Sequence, residues 1–187
     1  MNTDDFWKGI FGRSAPIEIE VGAGRGAFLF AAASAAPGSN FLAIEHSHSR
    51  ALQLERDATA RGLTNVRVLR ADAACVVAAI IPDVSVAAYH VYFPDPWWKR
   101  RHHRRRLFTP AFVNALHRTL VPGGCVRIAT DVPEYFALVT RLLSAHFARE
   151  SDTPPFSTPT RFAQKAGRRG APIHVASFTK PTAEAAA

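Results

Sequence analysis

The sequence predicts an α/β fold, a doubly wound and mostly parallel sheet with helices on both faces. Three observations predict it. Short β-branched runs alternate with helix-like segments five times along the chain. A glycine-rich turn, Gly22-Ala-Gly24-Arg-Gly26, follows the first of those runs. An acid stands at or just past the end of each of the first five expected strands: Glu20, Glu45, Asp72, Asp95 and Asp131. Ligands of such sheets bind beyond the carboxyl ends of the strands, so these acids are the ones to follow.

Each element has its own signal. Residues 1–15 read as a short, mostly irregular arm, and residues 16–187 as one domain. Ile17–Val21 is a β-branched strand ending in the glycine turn. Ala27–Ala36 is rich in Ala, Leu and Phe and stops at Pro37-Gly38, as a helix would. Phe41–Ile44 is the second strand. Ser49–Arg61 is a helix closed by Gly62. Val66–Arg70 is the third strand, and Ala73–Ile81 a short helix ended by Pro82. Val86–Phe93 is the fourth strand. Thr109 caps a helix with Pro110 at its first position, running to Leu120. Pro122-Gly123-Gly124 reads as a turn into strand Cys125–Thr130. Asp131 and Glu134 have the spacing of a capping box before a helix that ends near His146. Two more strands are expected at Phe147–Ser151 and Ile173–Phe178.

The chain has 187 residues, enough for one domain with its own core. Its net charge of +8 favours a polyanionic partner such as nucleic acid. Cys75 and Cys125 both lie in apolar runs and form no CxxC, so each reads as a core thiol. The apolar runs are too short to span a bilayer, and the first residues lack an apolar signal region. A reducing compartment follows, most simply the cytoplasm, with no membrane partner. His102 and His103 lack a partnered Cys/His set, so no metal is expected.

Two segments carry chemistry. Gly22 and Gly24 let the backbone turn and approach a ligand, in a spacing shared by dinucleotide sites and S-adenosylmethionine sites. Glu45, twenty-one residues past Gly24, suits a ribose in either class. Glu20 and Asp72 favour the second class. A carboxylate at Glu20 would repel a diphosphate but attracts an ammonium or sulfonium. Asp72 reads equally as an acceptor for an adenine amino group and as a helix N-cap. The second segment is Phe93-Pro-Asp95-Pro-Trp97-Trp98-Lys99-Arg100-Arg101-His102-His103-Arg104-Arg105-Arg106. Asp95 between two prolines, beside Trp97, suits a purine: the ring stacks and the carboxylate accepts from the base edge. A purely structural turn fits the same spacing. From Lys99 to Arg106 there is no acid, and six fixed cations crowded in eight positions repel one another unless they meet phosphates.

Together these segments resemble the bacterial tRNA (guanine-N7)-methyltransferase family. The resemblance runs from about Ile17 to Phe178 and rests on IEVGAGRG, AIEHS, RADA, FPDPW with KRRHHRRRL, and ATDVPEY. It implies a class I S-adenosylmethionine-dependent fold of seven strands, the last antiparallel, and transfer of methyl to N7 of guanine 46 in the tRNA variable loop. It assigns Glu20, Gly22, Gly24, Glu45, Asp72 and Asp95 to the cofactor and makes Asp95 catalytic. Lys99, Asp131 and Thr160 fall at substrate-binding positions, with a substrate segment at 152–172. Arg100, Arg101, His102, His103, Arg104, Arg105 and Arg106 fall where tRNA is met. A monomer or a homodimer is expected. Two positions depart from the family: Ala163 stands where an acid follows the Thr-x-Phe motif, and Trp98 stands where proline is usual. Ala163 motivates an alternative, a tRNA-binding relative with weakened or altered methyl transfer. A nicotinamide oxidoreductase is disfavoured by Glu20. A small-molecule methyltransferase leaves the arginine run without a use.

Overall fold

A computed structural model describes residues 2–151 and 172–182. The elements run α1 (Thr3–Phe11), β1 (Ile17–Val21), α2 (Ala27–Ala35), β2 (Asn40–Glu45), α3 (His48–Ala60), β3 (Val66–Arg70), α4 (Ala73–Ala79), β4 (Val86–Tyr92), a 3-10 helix (Arg100–Arg105), α5 (Pro110–Thr119), β5 (Leu120–Thr130), α6 (Pro133–Leu143), β6 (Ala148–Ser151) and β7 (His174–Thr179). The sheet has seven strands in the order β3-β2-β1-β4-β5-β7-β6. β1 to β5 pair in parallel, and β7 is antiparallel to both β5 and β6. This is the architecture the sequence predicts.

Alternation sorts the core. Ile17, Ile19 and Val21 of β1 join one large cluster with Val76 and Val77 of α4, Phe112 and Leu116 of α5, and Val139 and Leu143 of α6. On the opposite face, Phe41 and Ala43 of β2 pack with Leu29 and Phe30 of α2 and Leu54 of α3. The strand order reverses at β1 and β4, which lie side by side in parallel although β2 and β3 intervene in sequence. That is the switch point where such sheets open a cleft.

Four expectations need correcting. The N-terminal arm is not irregular. Thr3–Phe11 is helical, with the Asn2 side chain accepting from Asp4 N–H and Gly12 closing it in a left-handed conformation. Trp7 and Phe11 enter the main core, so burial of two aromatics one turn apart fixes this segment to the domain. β5 begins at Leu120 and runs through Pro122-Gly123-Gly124, where a turn was expected. The pairing steps from Val86 opposite Leu120 to Ala88 opposite Cys125, so the extra residues are taken up as an irregularity inside the strand. Asp131 does not cap α6; the N-cap position is Val132, and Pro133 opens the helix. Cys75 is exposed rather than buried, because α4 turns Val76 and Val77 inward instead; Cys125 is half-buried, and both are free thiols. No described helix is long and apolar enough to cross a membrane.

Gly26 is the glycine the fold requires. It sits at φ +74°, and a Cβ there would lie 2.5 Å from the Phe30 ring and 2.7 Å from Leu54. Gly26→Ala is therefore expected to destabilise by about 2–4 kcal/mol through left-handed strain plus overpacking. At roughly 2–4 °C per kcal/mol for a chain of this size, a melting curve should shift down by about 5–15 °C.

Candidate active site

The strand order sets the five acids in a row at the carboxyl edge: Asp72, Glu45, Glu20, Asp95 and Asp131. With strands about 4.8 Å apart, the row from β3 to β5 runs roughly 19 Å. The acids are not alike, and their differences follow from what surrounds each.

Glu20 is buried, with 4% of its surface exposed, on the face of β1 opposite Ile19 and Val21. Among the described residues its Oε2 has no hydrogen-bond partner. Burial pushes its carboxyl up to about 8, against the pull of the Leu29 backbone N–H and with a push from Glu45. A buried acceptor without a donor is unfavourable, so the position fits a ligand that brings a cationic donor. Glu45 is equally buried, but both of its oxygens have partners. Its Oε2 accepts from Gly24 N–H at 3.0 Å, and its Oε1 accepts from Ser47 N–H at 2.9 Å and from Arg50 at 3.4 Å. Glu45 thus ties the turn after β1 to the start of α3, and its remaining lone pairs can still take ligand hydroxyls. Gly22, at φ +75°, donates its N–H to the Ile44 carbonyl at 2.8 Å. Among the described residues no atom stands within 4 Å of the place where its Cβ would be, so the turn offers bare backbone to a ligand. Gly24 adopts φ +59° for the same turn. Asp72 is exposed at the N-cap of α4, where it accepts from Cys75 N–H at 3.0 Å. The cap is real, and a second carboxylate oxygen leaves room for the ligand reading.

Asp95 is exposed in a turn under strain. Phe93 and Trp97, on either side of it, hold φ values of 52° and 46°. Left-handed geometry in bulky residues disfavours the native state by about 1–2 kcal/mol each and clusters at functional sites. The Phe93 N–H donates to the Ala129 carbonyl at 2.7 Å, anchoring the turn to the end of β5. Asp131 follows that end directly and is exposed.

The basic run folds as a 3-10 helix over Arg100–Arg105. Lys99, Arg100, Arg101, His103, Arg104 and Arg105 are exposed, and His102 is half-buried edge-on to Trp97. Among the described residues no carboxylate pairs with any of these cations. The Arg105 guanidinium lies 5.1 Å from the Trp97 ring centre. Trp98 is 66% exposed, an apolar plate beside the cations. Arg106 behaves differently. It is half-buried, donates from Nε to the Pro96 carbonyl at 2.8 Å, and covers the Tyr135 ring at 5.1 Å.

Sequence reasoning missed a buried polar chain beside Glu20. His90 is fully buried in mid-strand, with Nε2 at 2.8 Å from Glu18 and Nδ1 at 2.9 Å from the Tyr92 hydroxyl. Burial holds His90 below the usual histidine range despite Glu18. Burial favours a neutral Glu18, but its hydrogen bond to His90 and the nearby charge of Arg127 outweigh it and lower its carboxyl. An ionised Glu18 requires Nε2 to carry the proton, so Nδ1 accepts from Tyr92. The signal was available: a histidine inside an apolar strand, opposite a strand with two glutamates on one face. Thr160 lies outside the described residues, as do Arg161, Phe162 and Ala163. Among the described residues no cluster of His, Cys, Asp or Glu could hold a metal ion.

This set of groups fits an adenosyl amino acid with a cationic sulfur. The orphaned Glu20 oxygen suits an ammonium, Glu45 keeps acceptors for a ribose, and Asp72 offers an acceptor farther along the row.

Comparison with known proteins agrees. A family model described as a putative methyltransferase matches residues 14–176. A tRNA (guanine-N(7)-)-methyltransferase of Methylococcus capsulatus is 38% identical over 169 residues, covering 86% of this chain and 73% of that protein. Those of Cupriavidus necator and Paenarthrobacter aurescens are 35% and 42% identical, covering 95% and 73% of this chain but 71% and 46% of their own lengths. The chain thus spans about half to three quarters of the length of these relatives. Among solved structures, a 16S rRNA methyltransferase, KamB, covers 96% of this chain and 94% of its own with a TM-score of 0.69 at 16% identity. A SAM-dependent methyltransferase of Aquifex aeolicus covers 95% and 90% with a TM-score of 0.62 at 15% identity. At those identities the structures speak for the fold alone. Fold, glycine turn, acid row and sequence identity converge, and the chain belongs to the bacterial tRNA (guanine-N7)-methyltransferase family.

Proposed function

We infer that the chain methylates N7 of a guanine in tRNA, with guanine 46 of the variable loop as target, in the cytoplasm. The observation that carries this reading is the adjacency, at one sheet edge, of a buried Glu20 whose Oε2 has no partner among the described residues and an acid-free arginine helix beside an exposed Asp95. The relatives named above act on that atom of tRNA by name.

The donor is S-adenosylmethionine, which supplies a methyl group made electrophilic by its sulfonium. Glu20 holds the ammonium end, Glu45 the ribose and Asp72 the adenine amino group, while Gly22 and Gly24 keep side chains out of the way. Guanine N7 has an in-plane lone pair and no proton at neutral pH, so no general base is required. What the chain must supply is alignment and a negative field on the ring that becomes cationic. Asp95 does this from its strained turn, with Asp131 and Lys99 orienting the nucleotide and Thr160 assigned the same task. Arg100, Arg101, His102, His103, Arg104 and Arg105 meet phosphates from the face of the 3-10 helix.

Incubation with labelled S-adenosylmethionine and tRNA lacking the modification, followed by nucleoside analysis, tests the reading: 7-methylguanosine is expected. Tight tRNA binding without product would leave the binding-only alternative. A triple Arg101→Ala, Arg104→Ala, Arg105→Ala variant should bind tRNA more weakly. The slope of log affinity against log salt should fall by about two to three, since each phosphate contact contributes roughly 0.7–0.9. An unchanged slope removes the arginines from the interface.

A further inference from the structure

Arg106 ends the basic run, yet its surroundings set it apart from the cations before it. Arg100, Arg101, Arg104 and Arg105 are exposed, whereas Arg106 is half-buried. One edge of its guanidinium is committed to the Pro96 carbonyl at 2.8 Å, the residue next to Asp95. Its Cζ lies over the Tyr135 ring, 5.1 Å from the ring centre, and Tyr135 is 1% exposed in the first turn of α6, just past Asp131. Arg106 therefore joins the turn that carries Asp95 to the helix that starts beside Asp131. The turn needs such a tie. Phe93 and Trp97 are both held left-handed, and a strained segment anchored at one end relaxes at the other. The Phe93–Ala129 hydrogen bond holds the near end, and the Arg106–Pro96 bond holds the far end. A planar fork that donates along one edge while stacking on an aromatic face is specific to arginine; a lysine carries the charge but neither feature.

From this we propose that Arg106 is a positioning residue for methyl transfer and not a phosphate contact: it fixes Asp95 relative to Asp131. The proposal rests on the reading of Asp95 and Asp131 given above. Arg106→Ala and Arg106→Lys are compared with wild type and with Arg104→Ala, by steady-state methylation of unmodified tRNA and by tRNA binding at several salt concentrations. Both Arg106 variants should lose about 10- to 100-fold in kcat, while KM for tRNA stays within about twofold and the salt slope matches wild type. Arg104→Ala should instead bind more weakly with a slope shallower by about one. Full recovery by Arg106→Lys, a shallower slope in Arg106→Ala, or a wild-type kcat in either variant overturns the proposal. If Arg106→Ala does not fold, Arg106→Lys alone decides by the same criteria. A wild-type protein that makes no 7-methylguanosine would refute the proposed function, whereas active wild type with active Arg106 variants refutes only the positioning role.

Discussion

Asp95→Ala is expected to lower turnover by about 10²–10³-fold while tRNA affinity stays within a few-fold, the usual effect of removing one preorganised charge from the place where charge develops. The carboxylate stands at the end of β4, in the turn closed by Pro94 and Pro96 and bounded by two left-handed residues. A side chain that only shaped this turn would be replaceable by its isostere. Asp95→Asn therefore separates the two roles. It keeps the size and hydrogen-bonding shape but removes the charge facing the methylated purine. If the charge is what matters, Asn should lose nearly as much rate as Ala, with melting temperature unchanged. Asn with wild-type turnover would reduce Asp95 to a turn residue. Single-turnover rates at saturating tRNA are the measurement, because they exclude product release.

The fold was legible because its signals are local and repeated. Five strand-to-helix alternations leave few topologies, and the carboxyl-edge acids can be listed from strand ends alone. Thr109 and Pro110 opened α5 where expected because cap and first-turn chemistry act within one turn. What was missed depends on tertiary packing. α1 has Asn2, Asp4, Asp5 and Gly12 at helix-end positions, yet a nine-residue helix is marginal by itself and is held by Trp7 and Phe11 in the core. β5 runs through Pro-Gly-Gly although the β4 register skips these residues and Gly123 is left-handed; backbone bonds from Gly123 N–H to the Lys180 carbonyl and from Lys180 N–H to the Gly124 carbonyl carry the strand across. At the site, residue types were readable but their states were not. Glu20 and Glu45 look equivalent in sequence. Only the fold shows one with an unpartnered oxygen and the other satisfied by two backbone N–H groups. In the same way, charge alone made Arg106 one of six cations, and only its contacts with Pro96 and Tyr135 distinguish it.

Glu20→Gln should trade function for stability. Burial raises the Glu20 carboxyl from 4.5 to about 8 in the folded chain. Its pKa is thus higher folded than unfolded, so its contribution to stability is fully present below pH 4.5 and is lost as pH rises through about 8. Gln cannot ionise, so the variant should match wild type near pH 4.5 and exceed it above pH 8, by a few kcal/mol and several °C in melting temperature. The same group then sets the pH dependence of cofactor uptake. An ammonium seated at Oε2 requires the carboxylate form, yet at pH 7 the free protein holds Glu20 mostly protonated. Binding S-adenosylmethionine at pH 7 should therefore release nearly one proton. Titration calorimetry in phosphate and in Tris should differ in apparent enthalpy accordingly. Affinity should rise up to about tenfold per pH unit toward pH 8, then turn over as the ligand's own α-amino group, near pKa 8, loses its proton. In Glu20→Gln the proton release should vanish and affinity fall by at least about 10²-fold, since a charge-assisted hydrogen bond to a buried group is removed. Equal enthalpies in the two buffers for the wild-type protein would mean that the ligand's cationic end sits elsewhere along the acid row.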